Sequence, residues 1–276
     1  GIEVKKDTYV SMTEKVPFCG LPFVRGVFSF ADSMILGMRT LSFSASFFED
    51  DEDSEPGKLE LWMDKVFGEK VEQVLMAVVM VFSVVMAIGI FMVLPLLIAN
   101  ACKQVIHSDT IMAILEGVIR IAIFIAYIKL ISRMEDIRRT FMYHGAEHKC
   151  INCIEKGRPL TVHNVMRSSR LHKRCGTSFI FFVMLVSIVL FFFIQVDNVA
   201  EKVILRILLM PVVAGISYEI IRLAGRTDNV FIKILSAPGM WIQRMTTREP
   251  DESMAEVAIA SVEAVFDWKK YLQDTF

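Results

Sequence analysis

Long apolar stretches alternate with charged segments along the chain. Two of the stretches contain no charged residue: Val74–Ala99 has 26 residues and Cys175–Val196 has 22. At about 1.5 Å rise per residue, a helix of either length crosses a hydrocarbon core of about 30 Å. Ile111–Ile131 and Val203–Leu223 are also apolar, although each holds ionisable residues. The pattern predicts four transmembrane helices, with a kink near Pro95 in the first.

Short turns join these helices in two hairpins, so that both termini and the central segment lie on one side of the bilayer. The central segment, 132–177, holds ten Lys and Arg residues, whereas each hairpin turn holds one, Lys103 or Lys202. Because cytoplasmic loops of membrane proteins carry an excess of basic residues, this side is predicted to be the cytoplasm. We expect an all-α polytopic membrane protein: four transmembrane helices in two hairpins, with a cytoplasmic helical cap.

Five segments follow from this topology. They are an N-terminal cytoplasmic or interfacial region with an acidic linker (1–70), the first transmembrane hairpin (71–131), a cytoplasmic loop rich in histidine and cysteine (132–177), the second transmembrane hairpin (178–223) and a C-terminal cytoplasmic amphipathic region (224–276). Within the first segment, 17–48 is predicted to be an amphipathic or interfacial helix, and the acidic run 49–55 a solvated linker.

The C-terminal region contains three local signals. Ala237-Pro238-Gly239 predicts a turn. Trp241, with basic residues after it, is typical of an anchor at the membrane interface. Ser253 and Glu256 have the spacing of a capping box and predict the start of a final helix.

Composition agrees with a membrane protein. Hydrophobic residues make up 54% of the 276 residues, and the mean hydropathy is +0.50, whereas soluble domains are about 45–50% apolar. The formal net charge is -1, which gives no indication of a nucleic-acid partner. We therefore expect the lipid bilayer as a partner, together with another membrane protein or a second copy of the chain.

Ionisable residues inside the two less apolar spans need partners, since a charge at mid-bilayer is costly. Glu116 and Arg120 are four residues apart, which places them on one helix face as a candidate ion pair. Arg206 and Glu219 lie in the last span. Structural pairing is our first interpretation of these charges, and an ion or proton path is the alternative.

Four of the five histidines lie between residues 144 and 172. His144 and His148 are four residues apart, so on a helix they share a face and can bind one metal ion. Glu147 lies between them in the His-x-x-Glu-His spacing of inverted zincins. In that arrangement the histidines bind zinc and the glutamate acts as the general base on a water molecule.

Further candidate ligands come just before the third span. His172 and Cys175 are three residues apart and are predicted to be the third and fourth ligands of zinc or another divalent metal ion. Cys150 and Cys153 form a Cys-x-x-Cys pair, which is an alternative ligand pair. Four protein ligands make a structural site, whereas an open position permits hydrolysis. A hydrogen-bonded cap without metal is the remaining alternative.

Several motifs spread over nearly the whole chain occur together. They are Pro22-Phe23-Val24-Arg25-Gly26-Val27, Glu116-Gly117 with Arg120, Tyr143-His144-Gly145-Ala146-Glu147-His148-Lys149, His172-Lys173-Arg174-Cys175-Gly176-Thr177-Ser178-Phe179, and Pro250-Asp251 with Glu256-Val257-Ala258-Ile259. This set resembles the YqhQ-like family of bacterial membrane proteins. The resemblance implies a multi-pass protein of the bacterial cell membrane and a metal-dependent enzyme of unsettled activity. It also implies a Gly-Gly-Gln-Ala-Val-x-Glu-Gly-Val-like stretch, which we expect to precede Gly1.

Three functions are compatible with these features. The first is a membrane-embedded metallohydrolase that acts at the cytoplasmic face on a peptide or lipid-linked substrate, with Glu147 as base and His172 as fourth ligand or acid. The second is a non-catalytic scaffold or assembly factor, whose basic cap docks a partner protein or anionic lipid head groups. The third is a transporter or channel that uses the ionisable residues of the second and fourth spans, which are Glu116, Arg120, Arg206, Glu219 and Arg222. We expect the first.

Overall fold

A computed structural model of the chain describes residues 1–47, 71–173, 175–194, 196, 198–224 and 230–276. All regular structure in these residues is helical. The α-helices are α1 (Met12–Lys15), α2 (Val24–Ala45), α3 (Val71–Ile88), α4 (Leu94–Ala101), α5 (Asp109–Ile131), α6 (Glu135–Glu155), α7 (Val162–Met166), α8 (Gly176–Phe192), α9 (Val199–Ala224), α10 (Val230–Thr246), α11 (Glu252–Val265) and α12 (Trp268–Thr275). The acidic run 49–55 and Arg174 lie outside the described residues.

Three helical stretches are long and apolar enough to cross a membrane, and a fourth is shorter. The three are Ala77–Gln104, α5 and α9, with 28, 23 and 26 residues. The fourth, α8, has 17 residues and is about 26 Å long at 1.5 Å per residue. That length is at the lower limit for a transmembrane helix. The prediction of an all-α membrane protein is therefore confirmed, with a third span shorter than the sequence predicted.

The first span changes its helical winding before Pro95. Helix α3 ends at Ile88, the π-helical turn Gly89–Val93 follows, and α4 continues from Leu94. In this turn the Leu94 N–H donates to the Gly89 carbonyl, five residues earlier. A proline ring clashes with the carbonyl four residues before it, and a wider turn relieves that clash. The distortion predicted at Pro95 is thus taken up in the preceding turn.

Helices α6, α7 and α11 pack around a small apolar core. Its buried residues are Cys150, Cys153, Ile154, Leu160, Val165 and Ala255. At the start of α11, Asp251 accepts a hydrogen bond from the Met254 N–H at 2.8 Å. The capping box predicted at Ser253 is therefore wrong, because Asp251 supplies the cap two residues earlier and Ser253 contacts its carboxylate.

Helix α10 runs through residues 237–239, so the turn predicted there is wrong. Pro238 leaves the carbonyl four residues earlier, that of Ile234, without its helical donor. Gly239 brings α10 close to α8, since a Cβ at this position would lie 3.0 Å from the Ser178 Oγ. The turn signal therefore marks a helix–helix contact.

The described chain divides into two compact units. One comprises Gly1–Ser29, Phe124–Ile194 and Arg206–Phe276, and the other comprises Phe30–Ile123 and Gln195–Leu205. The histidine cluster and the residues that contact it all lie in the first unit.

Gly145 allows the segment after α10 to cross α6. The Arg248 N–H donates to the Phe141 carbonyl at 2.8 Å. A Cβ at residue 145 would lie only 2.0 Å from the Arg248 carbonyl oxygen. Because this is a contact with backbone, no flexible side chain can move aside. The crossing fixes Thr246, two residues before Arg248, beside His144.

Replacing Gly145 with alanine should therefore lower the free energy of unfolding by about 1–3 kcal/mol, the usual cost of overpacking. Unfolding of the purified protein in mixed detergent micelles measures the change. Gly37→Ala in α2 is the matched control, because an added Cβ there meets nothing within 4 Å and alanine favours a helix. A Gly145→Ala protein as stable as the Gly37→Ala protein would contradict the crossing.

Candidate metal centre

One face of α6 carries a row of polar side chains. His144, His148, Asn152 and Glu155 are spaced by four, four and three residues, which aligns them along one side of a helix. His148, Asn152 and Glu155 each contact the segment 169–172: His148 and Asn152 reach its backbone carbonyls, and Glu155 reaches the His172 ring. This row anchors the loop that leads to Cys175.

His144 lies between the end of α10 and the start of α8. Its Nδ1 is 3.0 Å from the Thr246 carbonyl oxygen. A carbonyl only accepts, so Nδ1 carries the proton and Nε2 of the neutral ring keeps its lone pair. That Nε2 is 3.2 Å from the Cys175 Sγ. Burial by itself would lower the pKa of His144, but its contacts with Cys175, the Thr246 carbonyl and Glu147 raise the pKa above its ordinary value.

His148 is held in the same way by another carbonyl. Its Nδ1 is 2.7 Å from the Arg170 carbonyl oxygen, and the residue is buried. Nδ1 is therefore the donor here too, which leaves Nε2 as the ligand atom. Metal-binding histidines typically donate their second ring N–H to a carbonyl or carboxylate, which fixes the ring orientation. Both α6 histidines have this arrangement.

Cys175 is the N-cap residue of α8, and its thiol accepts a hydrogen bond from the Thr177 N–H. Burial by itself would raise the pKa of the Cys175 thiol. Hydrogen bonds from His144, His148 and Thr177, together with the charge of His144, lower it to about 5. The N-terminus of a helix also favours a thiolate. The site therefore holds the deprotonated sulfur that metal ions bind.

The three ligand atoms of His144, His148 and Cys175 lie within 4.8 Å of one another. In a tetrahedral zinc site, a thiolate at about 2.3 Å and an imidazole nitrogen at about 2.0–2.1 Å from the ion lie about 3.5 Å apart. The observed Nε2–Sγ distance of 3.2 Å differs from this by a few tenths of an ångström. The donor types and this one His144–Cys175 distance are therefore compatible with a zinc ion.

The other two predicted site residues lie beside this group. His172 is buried, its Nε2 is 3.1 Å from the Glu155 Oε2, and its ring centre is 5.9 Å from that of His148. Among the described residues, the group of ligand atoms within 4.8 Å comprises only the first three residues. Glu147 is exposed, and its charge contributes to the raised pKa of His144.

Buried polar residues that the sequence did not indicate hold the site together. The Lys149 Nζ donates to the Met166 and Ser168 carbonyls at 2.8 and 2.9 Å and pairs with Glu249 at 2.9 Å. Gln243 accepts from the His172 N–H at 3.0 Å and donates to the His172 carbonyl at 2.7 Å. Gln243 follows the apolar residues 240–242 and precedes Arg244, so no local pattern in the sequence indicates its role.

The Cys-x-x-Cys pair belongs to the apolar core instead. Cys150 and Cys153 are fully buried there. Burial is the main reason that the pKa of Cys150 is raised to about 12, and the charges of Cys153 and Glu147 raise it further. Such a thiol stays protonated at neutral pH, so these residues are core side chains in this structure.

Three ionisable residues of the spans, Glu116, Arg120 and Glu219, have polar partners. The Arg120 Nη2 is 2.7 Å from the Glu116 Oε1, and both side chains are buried. Glu219 accepts hydrogen bonds from the Arg25 Nε at 2.7 Å and from the Phe23 N–H at 3.2 Å. These contacts favour structural pairing over an ion path.

Comparison with known proteins decides the family. The model of the family described as "Protein of unknown function (DUF1385)" matches residues 21–268. The chain belongs to this family. A relative, the "Uncharacterized protein YqhQ" of Bacillus subtilis (strain 168), is 36% identical over 242 residues, which cover 87% of this chain and 76% of the relative. The predicted resemblance to the YqhQ-like family is thus confirmed. No solved structure matches the chain.

The lowered pKa of Cys175 can be measured by a pH titration of the metal-free protein. Thiolate absorbance in the ultraviolet should rise with a midpoint near pH 5, the pKa of this thiol. Cys175→Ser should remove the step. Cys150→Ser should leave it unchanged, because the Cys150 pKa of about 12 keeps that thiol protonated throughout. A first step above pH 8 in the wild-type protein would show that the imidazoles do not stabilise the thiolate.

Proposed function

We propose that the chain is a zinc-dependent hydrolase whose metal ligands are His144, His148 and Cys175. The observation that carries the proposal is the convergence of the three ligand atoms within 4.8 Å, with each imidazole Nδ1 held by a backbone carbonyl. Three protein ligands leave one position of a tetrahedral ion for water or substrate, which is the pattern of catalytic zinc sites. His172 is the candidate for the fourth position or for an acid.

A zinc ion at this site would polarise a substrate carbonyl and make water acidic enough to attack at neutral pH. Glu147 is the proposed general base, because it lies one residue from His148 on the same helix and its side chain is exposed. It would take a proton from the attacking water. His172, oriented by Glu155 at 3.1 Å, would donate a proton to the leaving group.

The proposed location is the cytoplasmic side of the bacterial cell membrane. The ten basic residues of 132–177 support this orientation, since the excess of Lys and Arg is found in cytoplasmic loops. A reducing cytoplasm would also keep Cys175 available as a thiolate.

A cysteine nucleophile is the second candidate function, and one contact favours it. Without a metal, the Cys175 Sγ and the His144 Nε2 at 3.2 Å form a thiolate–imidazolium pair. Such pairs activate cysteine for acyl transfer. Metal content separates the two candidates, because a nucleophilic thiol needs no ion.

Protein purified in detergent should contain close to one zinc ion per chain. His144→Ala/His148→Ala and Cys175→Ser should each lose most of it, because two ligands at most would remain. Elemental analysis of matched preparations measures this. Cys153→Ser, a core substitution outside the group, should keep its zinc. Two results together would instead favour the nucleophile. Unmodified metal-free wild-type protein would fail to take up added zinc, and a separate sample would be alkylated at Cys175.

Glu147→Gln should keep the zinc ion but lose about 10²–10⁴-fold of the hydrolysis rate, the usual contribution of a general base. Zinc-loaded protein and p-nitrophenyl acetate provide the assay. Glu263→Gln in α11 is the matched control on an exposed helix surface and should hydrolyse at the wild-type rate. If Glu147→Gln loses its metal or its fold, the assignment of the base is wrong.

A further inference from the structure

Helix α10 exposes apolar side chains along one side. Val230, Ile234 and Trp241 are 71%, 67% and 49% exposed. They are four and seven residues apart, so they form a single stripe on a helix, with Pro238 exposed between them. A helix on a water-facing protein surface places such a stripe against the protein.

The opposite side of α10 is polar and buried. Gln243 is fully buried and donates to the Ser178 Oγ at 2.7 Å as well as bonding both backbone groups of His172. Thr246 is 2% exposed, and its carbonyl accepts from His144. Gln243 and Thr246 of α10 therefore face the candidate metal centre, whereas Val230, Ile234 and Trp241 face away from the protein. Three large apolar side chains are thus more exposed than is usual for a helix that packs in water.

We propose that α10 lies in the membrane interface, with Val230, Ile234 and Trp241 in contact with lipid. A helix that points large apolar side chains away from the protein is stable in this position only if lipid, and not water, surrounds those side chains. Arg244, exposed one turn after Trp241, is placed to meet the phosphates of the head groups.

The neighbouring helix identifies lipid as the occupant, in preference to a second copy. Helix α10 packs along α8, which contains no charged residue and also exposes Ile180 and Val189. The apolar stripe of α10 thus lies on a helix that packs directly against a candidate span, which lipid would surround. The metal centre, on the other side of α10, then lies about one helix diameter, roughly 10 Å, from acyl chains. The inference holds whether or not the site binds zinc.

Fluorescence quenching in proteoliposomes tests the placement. The chain has three tryptophans, so Trp62→Phe/Trp268→Phe leaves only Trp241, and Trp62→Phe/Trp241→Phe leaves only Trp268 as the matched control. Trp268 donates to Glu263 on α11, away from the stripe. Vesicles of phosphatidylcholine and phosphatidylglycerol are prepared with and without dibrominated acyl chains, and iodide is added as the aqueous quencher.

Trp241 should lose roughly twofold of its emission in brominated vesicles, as expected for an interfacial side chain within reach of the acyl chains, and should resist iodide. Trp268 should show the reverse. Quenching of Trp241 by iodide alone would place α10 in water and overturn the proposal. Quenching by neither agent would show that protein covers the stripe, which overturns it as well. Zinc content is unaffected by either outcome, so the proposed function is tested separately.

Discussion

Two backbone carbonyls, those of Thr246 and Arg170, fix the orientation of the paired imidazoles, and the candidate site depends on them. Each accepts from an Nδ1, which leaves Nε2 unprotonated in the neutral ring. Thr246 is the last residue of α10, where carbonyls lack an intrahelical donor. Arg170 lies in the loop before α8, outside any helix. The site therefore uses acceptors that only helix ends and loops provide.

Buried polar side chains keep these carbonyls in place at a considerable desolvation cost. Lys149 is 4% exposed, yet it donates to the Met166 carbonyl at the end of α7 and to the Ser168 carbonyl in the loop, and it pairs with Glu249. Gln243 bonds both backbone groups of His172. Such groups are costly to bury unless every donor is satisfied, and when satisfied they specify one arrangement of the surrounding chain. Removal of one partner would leave the other buried and unpaired, so the loop and α10 are coupled through these contacts.

The sequence predicts those parts of the structure that depend on local spacing. The length of the apolar stretches predicts the transmembrane spans, and the four-residue spacing of His144 and His148 predicts that they share a helix face. The acceptors of their ring protons lie 102 and 22 residues away, and no local pattern indicates such partners. Pro238 and Gly239 predict a turn by their local propensities, which do not include tertiary contacts. In the structure Gly239 provides the close contact with Ser178 instead.

Cys175 serves two structural needs with one side chain. The N-terminus of an apolar helix leaves backbone N–H groups without partners, and near a membrane there is little water to satisfy them. The Cys175 sulfur accepts from the Thr177 N–H at 3.4 Å and, when the α6 imidazoles are protonated on Nε2 as well as Nδ1, from those rings. A thiolate here stabilises α8 but carries a charge into a buried position. A divalent cation shared with the two imidazoles would neutralise that charge, so the capping of α8 and the metal-binding geometry favour the same ionised sulfur.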